Sequence, residues 1–299
     1  MIGASRTRAA VTAAFNTLAP ATRVSARRAA VAALATVLAG TGALPAATAS
    51  AAGGQRALTG YQVVTVPMSP VQNGQPIYAT CPAGKVVLSG GVQLAQGGFL
   101  RHSVPTPDGR AWEVTAFDPS QGGTSVSVTA VCAARPSGYQ IVAGEPAQDV
   151  PNSARRQALC TNGTVPLGVG ADSAGEASLV ALSALYVDQL GSVYRVNAAL
   201  NQSGSGHNSL RPFAVCAAQP AGYTVVNGPA KTGIPSYSQM VTDCPLGRSA
   251  VSAGLSIPGS YSFLSQFTVD GPGSVKTTAQ NPYPGDHNYS ATASVVCTS

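Results

Sequence analysis

Six cysteines, Cys81, Cys132, Cys160, Cys216, Cys244 and Cys297, are the first residues whose type and spacing suggest chemistry. An even count in an exported chain favours disulfides. No two form a C-x-x-C pair and no histidine pair stands near one, so neither a tetrahedral zinc site nor a thioredoxin-like couple is expected. The histidines are His102, His207 and His287. His207-Asn208 and His287-Asn288 stand in matching places before a cysteine, and only Asp286 adjoins either. Solvated loop residues are expected there, not a metal centre. Asp118, Asn201 and Asn281 recur after equivalent strands. With His207 and His287 they are the candidate ligand contacts, although turn propensity explains the same residues. No G-x-S-x-G, H-E-x-x-H or P-loop occurs. Glu113, Asp118, Glu145, Asp172, Glu176 and Asp188 share no register. A hydrolase site needs two acids facing one cleft, and Asp172, Glu176 and Asp188 are the one place to seek it. The expectation is a non-enzyme without metal or cofactor.

These residues sit in a repeat of about eighty residues, a period that marks stacked supersecondary units. Gly60-Tyr61-Gln62-Val63-Val64 returns as Gly138-Tyr139-Gln140-Ile141-Val142 and as Gly222-Tyr223-Thr224-Val225-Val226. A cysteine turn follows in each: Cys81-Pro82-Ala83-Gly84, Cys160-Thr161-Asn162-Gly163 and Cys244-Pro245-Leu246-Gly247. At fixed offsets come Leu88 and Gly91, Leu167 and Gly170, Val251 and Gly254. Then come Trp112-Glu113-Val114-Thr115-Ala116, Tyr194-Arg195-Val196-Asn197-Ala198 and Val275-Lys276-Thr277-Thr278-Ala279. Each unit closes on a second cysteine: Ala130-Val131-Cys132, Ala214-Val215-Cys216 and Val295-Val296-Cys297. The units are therefore 60–137, 138–221 and 222–299. The simplest pairing is within units: Cys81–Cys132, Cys160–Cys216 and Cys244–Cys297. Six cysteines allow 15 pairings, so the repeat and not the count selects this one.

The expected fold is all-β, with about five short strands per unit. Val126, Val128 and Ala130 alternate with Ser127 and Thr129, a period of two. Leu179, Leu182, Leu185 and Tyr186 have helix-like spacing, but their place in the repeat argues for a strand. The connectors Ala133–Ser137 and Ala217–Ala221 are short and contain proline, which holds neighbouring units close. A pseudo-threefold, β-prism-like arrangement is expected, with three blades or tandem sandwiches as alternatives. Trp112 should face the core, given its partners Tyr194 and Val275. Tyr61, Tyr139 and Tyr223 read as half-buried anchors with the hydroxyl at the surface, or as a stacking platform for sugars. Gly91, Gly170 and Gly254 should mark bulges or close backbone contacts.

The pattern Cys-Pro-x-Gly, then Trp/Tyr-x-Val-x-Ala, then Ala-Val-Cys-Ala resembles a cysteine-bounded repeat of uncharacterised secreted actinobacterial proteins. The resemblance implies export and a β-rich unit, and carries over no catalytic residue. Thr161 departs from its proline and Val275 from its aromatic.

Residues 1–51 hold Arg6, Arg8, Arg23, Arg27 and Arg28, then the apolar run from Ala29 to Leu44, then small residues. This is the pattern of a secretory signal peptide, with cleavage expected after Ala49 or Ala51 and 52–59 as a linker. The run is too short and alanine-rich for a membrane span. Arg27-Arg28 lacks the flanking residues of a twin-arginine signal, so the general route is favoured. The rest of the chain carries 12 basic against 11 acidic residues. It has no basic footprint for nucleic acid or an anionic membrane. The function expected is a secreted, non-catalytic binding or surface-associated module. Its partner would be a cell-wall or environmental glycan or a cell-surface protein, with up to three related sites. A structural envelope protein and a hydrolase with a site in one unit are the alternatives. A glycan reader needs exposed aromatic rings beside Asn or Asp.

Overall fold

The computed structural model describes residues 56–299 apart from 121, 152–153, 176–178, 204–206, 234–236, 259–261 and 282–288. Residues 1–55, Glu176, Asp286 and His287 lie outside the described residues. Among those described there are strands and no helix.

Unit 1 runs through β1 (Gln62–Val71), β2 (Ile77–Thr80), β3 (Lys85–Leu94), β4 (Phe99–Pro105), β5 (Ala111–Phe117) and β6 (Thr124–Ala134). Unit 2 repeats the series as β7 (Gln140–Ala143), β8 (Arg155–Leu159), β9 (Thr164–Gly175), β10 (Leu179–Leu190), β11 (Val193–Ser203) and β12 (Asn208–Ala218). Unit 3 does so as β13 (Thr224–Asn227), β14 (Lys231–Thr232), β15 (Tyr237–Asp243), β16 (Ser249–Ser256), β17 (Phe263–Val269), β18 (Ser274–Gln280) and β19 (Ser290–Thr298). Each unit thus has six or seven strands, not five. The extra one is the first, which pairs along the closing cysteine strand in every unit. The stretch with helix-like spacing is β10, a twelve-residue strand. It pairs with β11 along its whole length, and that ladder decides its conformation.

Period-two burial is clearest in β5. Trp112, Val114 and Ala116 are buried, while Glu113, Thr115 and Phe117 face outward. In β6, Val126, Val128 and Ala130 are fully buried between half-exposed Ser125 and Ser127. Gly60, Gly138 and Gly222 have φ of 68°, 68° and 67°. A side chain is disfavoured in that left-handed region, which accounts for the Gly-Tyr that opens each unit.

No sheet belongs to one unit. The first sheet runs β1-β6-β3-β17-β18-β15, the second β2-β5-β4-β9-β12-β7, and the third β13-β19-β16-β10-β11-β8. Each joins three strands of one unit (β1, β6 and β3; β7, β12 and β9; or β13, β19 and β16) to three strands of another, with β14 pairing β19 beside the third. Unit 1 is completed by unit 3, unit 2 by unit 1, and unit 3 by unit 2. Self-contained sandwiches in tandem would keep every sheet inside one unit.

The three seams are equivalent residue for residue. Val92 and Gln93 pair with Phe267 and Gln266; Ala171 and Asp172 with Ser103 and His102; Leu255 and Ser256 with Leu185 and Ala184. One residue before each seam stands Gly91, Gly170 or Gly254. A Cβ on Gly91 would lie 2.4 Å from the Phe267 carbonyl oxygen, and one on Gly170 2.5 Å from that of Ser103. A Cβ on Gly254 would lie 3.0 Å from Tyr186 Cα. These glycines let two backbones of different units approach closely, as the repeat suggested.

Behind the seams, β3, β9 and β16 touch one another pairwise. Leu88, Leu167 and Val251, at one repeat position, are fully buried there, and the Ser89 hydroxyl donates to the Val251 carbonyl. A single apolar cluster runs through all three units. A small second one joins Phe99, Ala181 and Phe263. The disulfides are Cys81–Cys132, Cys160–Cys216 and Cys244–Cys297, with Cα separations of 5.7, 5.7 and 5.8 Å. Each ties the turn before β3, β9 or β16 to the last strand of the same unit.

Candidate binding surface

The repeated aromatic residues belong to the interior. Trp112 is fully buried and its indole N–H donates to Ser103 Oγ at 2.9 Å. Gly90 lies against the indole, where a Cβ would overlap the ring. Tyr61 donates its hydroxyl to the Ala250 carbonyl at 2.7 Å, Tyr139 to Val87 at 2.9 Å, and Tyr223 to Pro166 at 2.9 Å. The three acceptors occupy one repeat position, six residues after the unit's first cysteine. Each lies in the unit before the tyrosine's own, counted cyclically. The hydroxyls expected at the surface are therefore bonds between units. Desolvation by burial pushes the Tyr61 and Tyr139 phenols up to about 12 and raises that of Tyr223 as well.

The repeated polar positions that the structure describes differ in their settings. Asn201 is fully buried within β11, not in a turn, and donates to the Ser262 carbonyl at 2.7 Å. Asn281 is buried at 1% exposure. Asp118 closes a turn: its N–H and C=O bond the Asn73 amide at 2.7 and 2.8 Å, and its carboxylate accepts from Ser120 at 2.9 and 2.8 Å. His207 is exposed and its Nδ1 meets the Asp149 carboxylate. Among the acids weighed for hydrolysis, Asp188 is held by both Arg195 Nε and Nη2, at 2.8 and 2.7 Å.

A different group comes together on the outward face of the second sheet, where unit 1 meets unit 2. His102 on β4 places Nδ1 3.0 Å from Asp172 on β9, its partner across the seam. Its Nε2 lies 3.6 Å from Glu113 on β5. Among the described residues no hydroxyl or thiol bonds either ring nitrogen. The histidine stands between two carboxylates. Directly opposite Glu113 on the edge strand β2 is Tyr78, whose ring is 45% exposed. Beside it is a groove of about 490 Å³ lined by Thr80, Thr106, Pro107, Asp108, Arg110 and Ala111. Asp108 accepts from the Thr106 hydroxyl at 2.7 Å and the Arg110 N–H at 3.0 Å. These bonds hold its carboxyl below the usual carboxylate range, so it stays an anion in any ordinary buffer.

The sister sheets carry other chemistry at the same positions. Tyr78 opposite Glu113 is matched by Gln157 opposite Asn197 and by Val241 opposite Lys276. Gln157 donates its amide N–H to Asn197 Oδ1 at 2.9 Å, and Lys276 is neutralised by Asp270 at 2.6 Å. Only the second sheet pairs an exposed aromatic with a carboxylate here. Tyr78 drew no notice in the sequence because attention went to residues that recur. The available signal was the reverse: an aromatic at a position whose two counterparts are not aromatic.

No protein-family model matches the chain, and no curated protein matches it in sequence.

Proposed function

We propose that the protein is an exported, non-catalytic binding module that takes a glycan on the outward face of its second sheet. The observation that carries this is the half-exposed Tyr78 ring, flanked by the Glu113 and Asp108 carboxylates at the mouth of a groove. An exposed aromatic ring offers an apolar platform to the C–H face of a sugar. Carboxylates accept hydrogen bonds from its hydroxyls, and a few fixed polar groups beside an apolar wall are what orient a small ligand. Three disulfides support a life in an oxidising compartment. The site is single. Repetition supplies the scaffold, and the avidity expected from three like sites is not part of the proposal.

The test is retention of the oxidised protein on insoluble peptidoglycan, chitin, cellulose and whole cell walls, beside Tyr78→Ala and Glu113→Gln. Retention released by a soluble sugar, and lost at least tenfold in Tyr78→Ala, is the expected result, since truncating an aromatic hot spot costs about 2 kcal/mol or more and about 1.4 kcal/mol is tenfold. Retention unchanged by Tyr78→Ala removes this face from consideration. No retention on any glycan moves the weight to a structural envelope role.

A further inference from the structure

A second concavity, sharing no lining residue with the groove beside Tyr78, lies where the connectors between units converge. Its volume is about 610 Å³. Three segments line it: 56–59 ahead of unit 1, 134–137 between units 1 and 2, and 218–220 between units 2 and 3. Their backbones are tied to the units' closing strands. Ala134 N–H donates to Thr59 at 2.9 Å, Ala218 to Ser137 at 2.8 Å, and Ser299 to Ala221 at 2.8 Å. Ala221 N–H in turn donates to the Arg56 carbonyl at 3.1 Å, and Leu58 N–H to that of Ser299 at 3.4 Å. The walls of the cleft are thus fixed by hydrogen bonds, although they are connectors.

Its charged lining is one-sided. Arg56 and Arg135 line it from two different segments, Thr59, Ser137 and Gln219 are the other polar residues there, and among the described lining residues none is acidic. Among the described residues neither arginine is within ion-pair distance of a carboxylate. Arg135 is held in place: its guanidinium lies 4.6 Å from the centre of the Tyr139 ring. That ring is itself fixed by the bond to Val87. Two arginines line one cleft with no acidic side chain among its described lining residues, and an anion bound there would be attracted to both. A guanidinium forks onto the paired oxygens of a carboxylate or phosphate. The volume exceeds what a bare ion needs and suits a ligand the size of a sugar.

We infer that this cleft is a binding site for a sugar bearing an oxyanion, a phosphate or a carboxylate, held by Arg56 and Arg135. Hydroxyl and amide groups of Thr59, Ser137 and Gln219 meet the sugar hydroxyls. The site is separate from the Tyr78 face and does not depend on it.

The experiment is calorimetric titration of the oxidised protein with glucose 6-phosphate, glucuronate, glucose and inorganic phosphate, at low salt and at about 0.5 M salt. Wild type is compared with Arg56→Gln, Arg135→Gln and Arg135→Lys, each first shown to unfold at the wild-type temperature. Binding of glucose 6-phosphate or glucuronate, weakened by salt and about tenfold or more by each Arg→Gln change, is expected. The tighter of the two names the anion. Arg135→Lys should fall between, because it keeps the charge and loses the fork. Three results overturn the inference: no binding of either charged sugar, glucose binding as well as they do, or both Arg→Gln variants binding like wild type. Inorganic phosphate binding as tightly as glucose 6-phosphate overturns the assignment to a sugar-borne anion.

Discussion

The seam between units 1 and 2 and the seam between units 2 and 3 are built from the same parts beneath the sheet and different parts above it. Beneath, each has a glycine against a foreign backbone and a tyrosine hydroxyl on the carbonyl six residues after a cysteine. Above, the first carries Asp172, His102, Glu113 and Tyr78, with one histidine between two acids. The second carries Ser256, Ala184 and an Arg195–Asp188 pair that is already neutral. Residues that make the units fit together are constrained threefold, because any change must satisfy two neighbours. Residues that look outward answer to nothing in the fold, so individuality among them is where function should be sought.

The sharpest way to break the shared layer is to fill its glycine. Gly170→Val would drive Cβ into the Ser103 carbonyl oxygen at 2.5 Å and Val104 Cα at 3.2 Å. Both are backbone atoms of a paired strand and cannot yield locally. The expected cost exceeds about 4 kcal/mol, seen as loss of soluble protein or a collapsed urea midpoint. Gly91→Val should do the same at the equivalent seam; a mild effect at either would show that the seams are not equivalent.

Removing Cys160 and Cys216 together as alanines opens a closed loop of 56 residues. The chain-entropy model gives about 4 kcal/mol. The other two bridges span 51 and 53 residues and should cost nearly the same. Urea unfolding of the three double variants checks this, and a large spread would argue against interchangeable units.

Tyr139→Phe removes one hydroxyl and leaves the Val87 carbonyl without that donor, at an expected cost of about 1–2 kcal/mol. Its pH dependence is the finer test. The Tyr61 and Tyr139 phenols are raised from 10.0 to about 12 in the folded chain. The neutral form is therefore favoured by folding. That stability is fully present below pH about 10 and is lost as pH rises through about 12. Wild-type unfolding followed by circular dichroism should steepen in that window. Tyr139→Phe should be less stable at neutral pH yet lose less across it.

Tyr78→Ala should change stability least, within about 0.5 kcal/mol, since the ring is half exposed on an edge strand. A loss of more than 2 kcal/mol in thermal unfolding would make Tyr78 part of the shared architecture.

Fold class and disulfide pairing were legible because both are repeated, and three copies of one pattern outvote a local ambiguity such as the helix-like spacing of Leu179 to Tyr186. The partner of each tyrosine hydroxyl was not legible. It lies in another unit, and nothing inside Gly-Tyr-x-Val-Val says which carbonyl it will meet. Asn201 and Asn281 misled for a related reason. Their recurrence marks a buried structural position, and recurrence looks the same whether a side chain faces ligand or core. Asp172 and His102 are 70 residues apart, and only the strand exchange between units brings them into one row.

That exchange also sets an order of events as the chain is delivered. The first sheet needs β17, β18 and β15 from the final third, so β3 waits with an unsatisfied edge until almost the whole polypeptide has emerged. Contacts so distant in sequence make closure a late and slow step. The same pairing says what one unit would be by itself: two half-sheets, each the complement of the other, able to meet only on a different molecule. One unit alone therefore leaves two seam edges open, each a template for pairing with another chain.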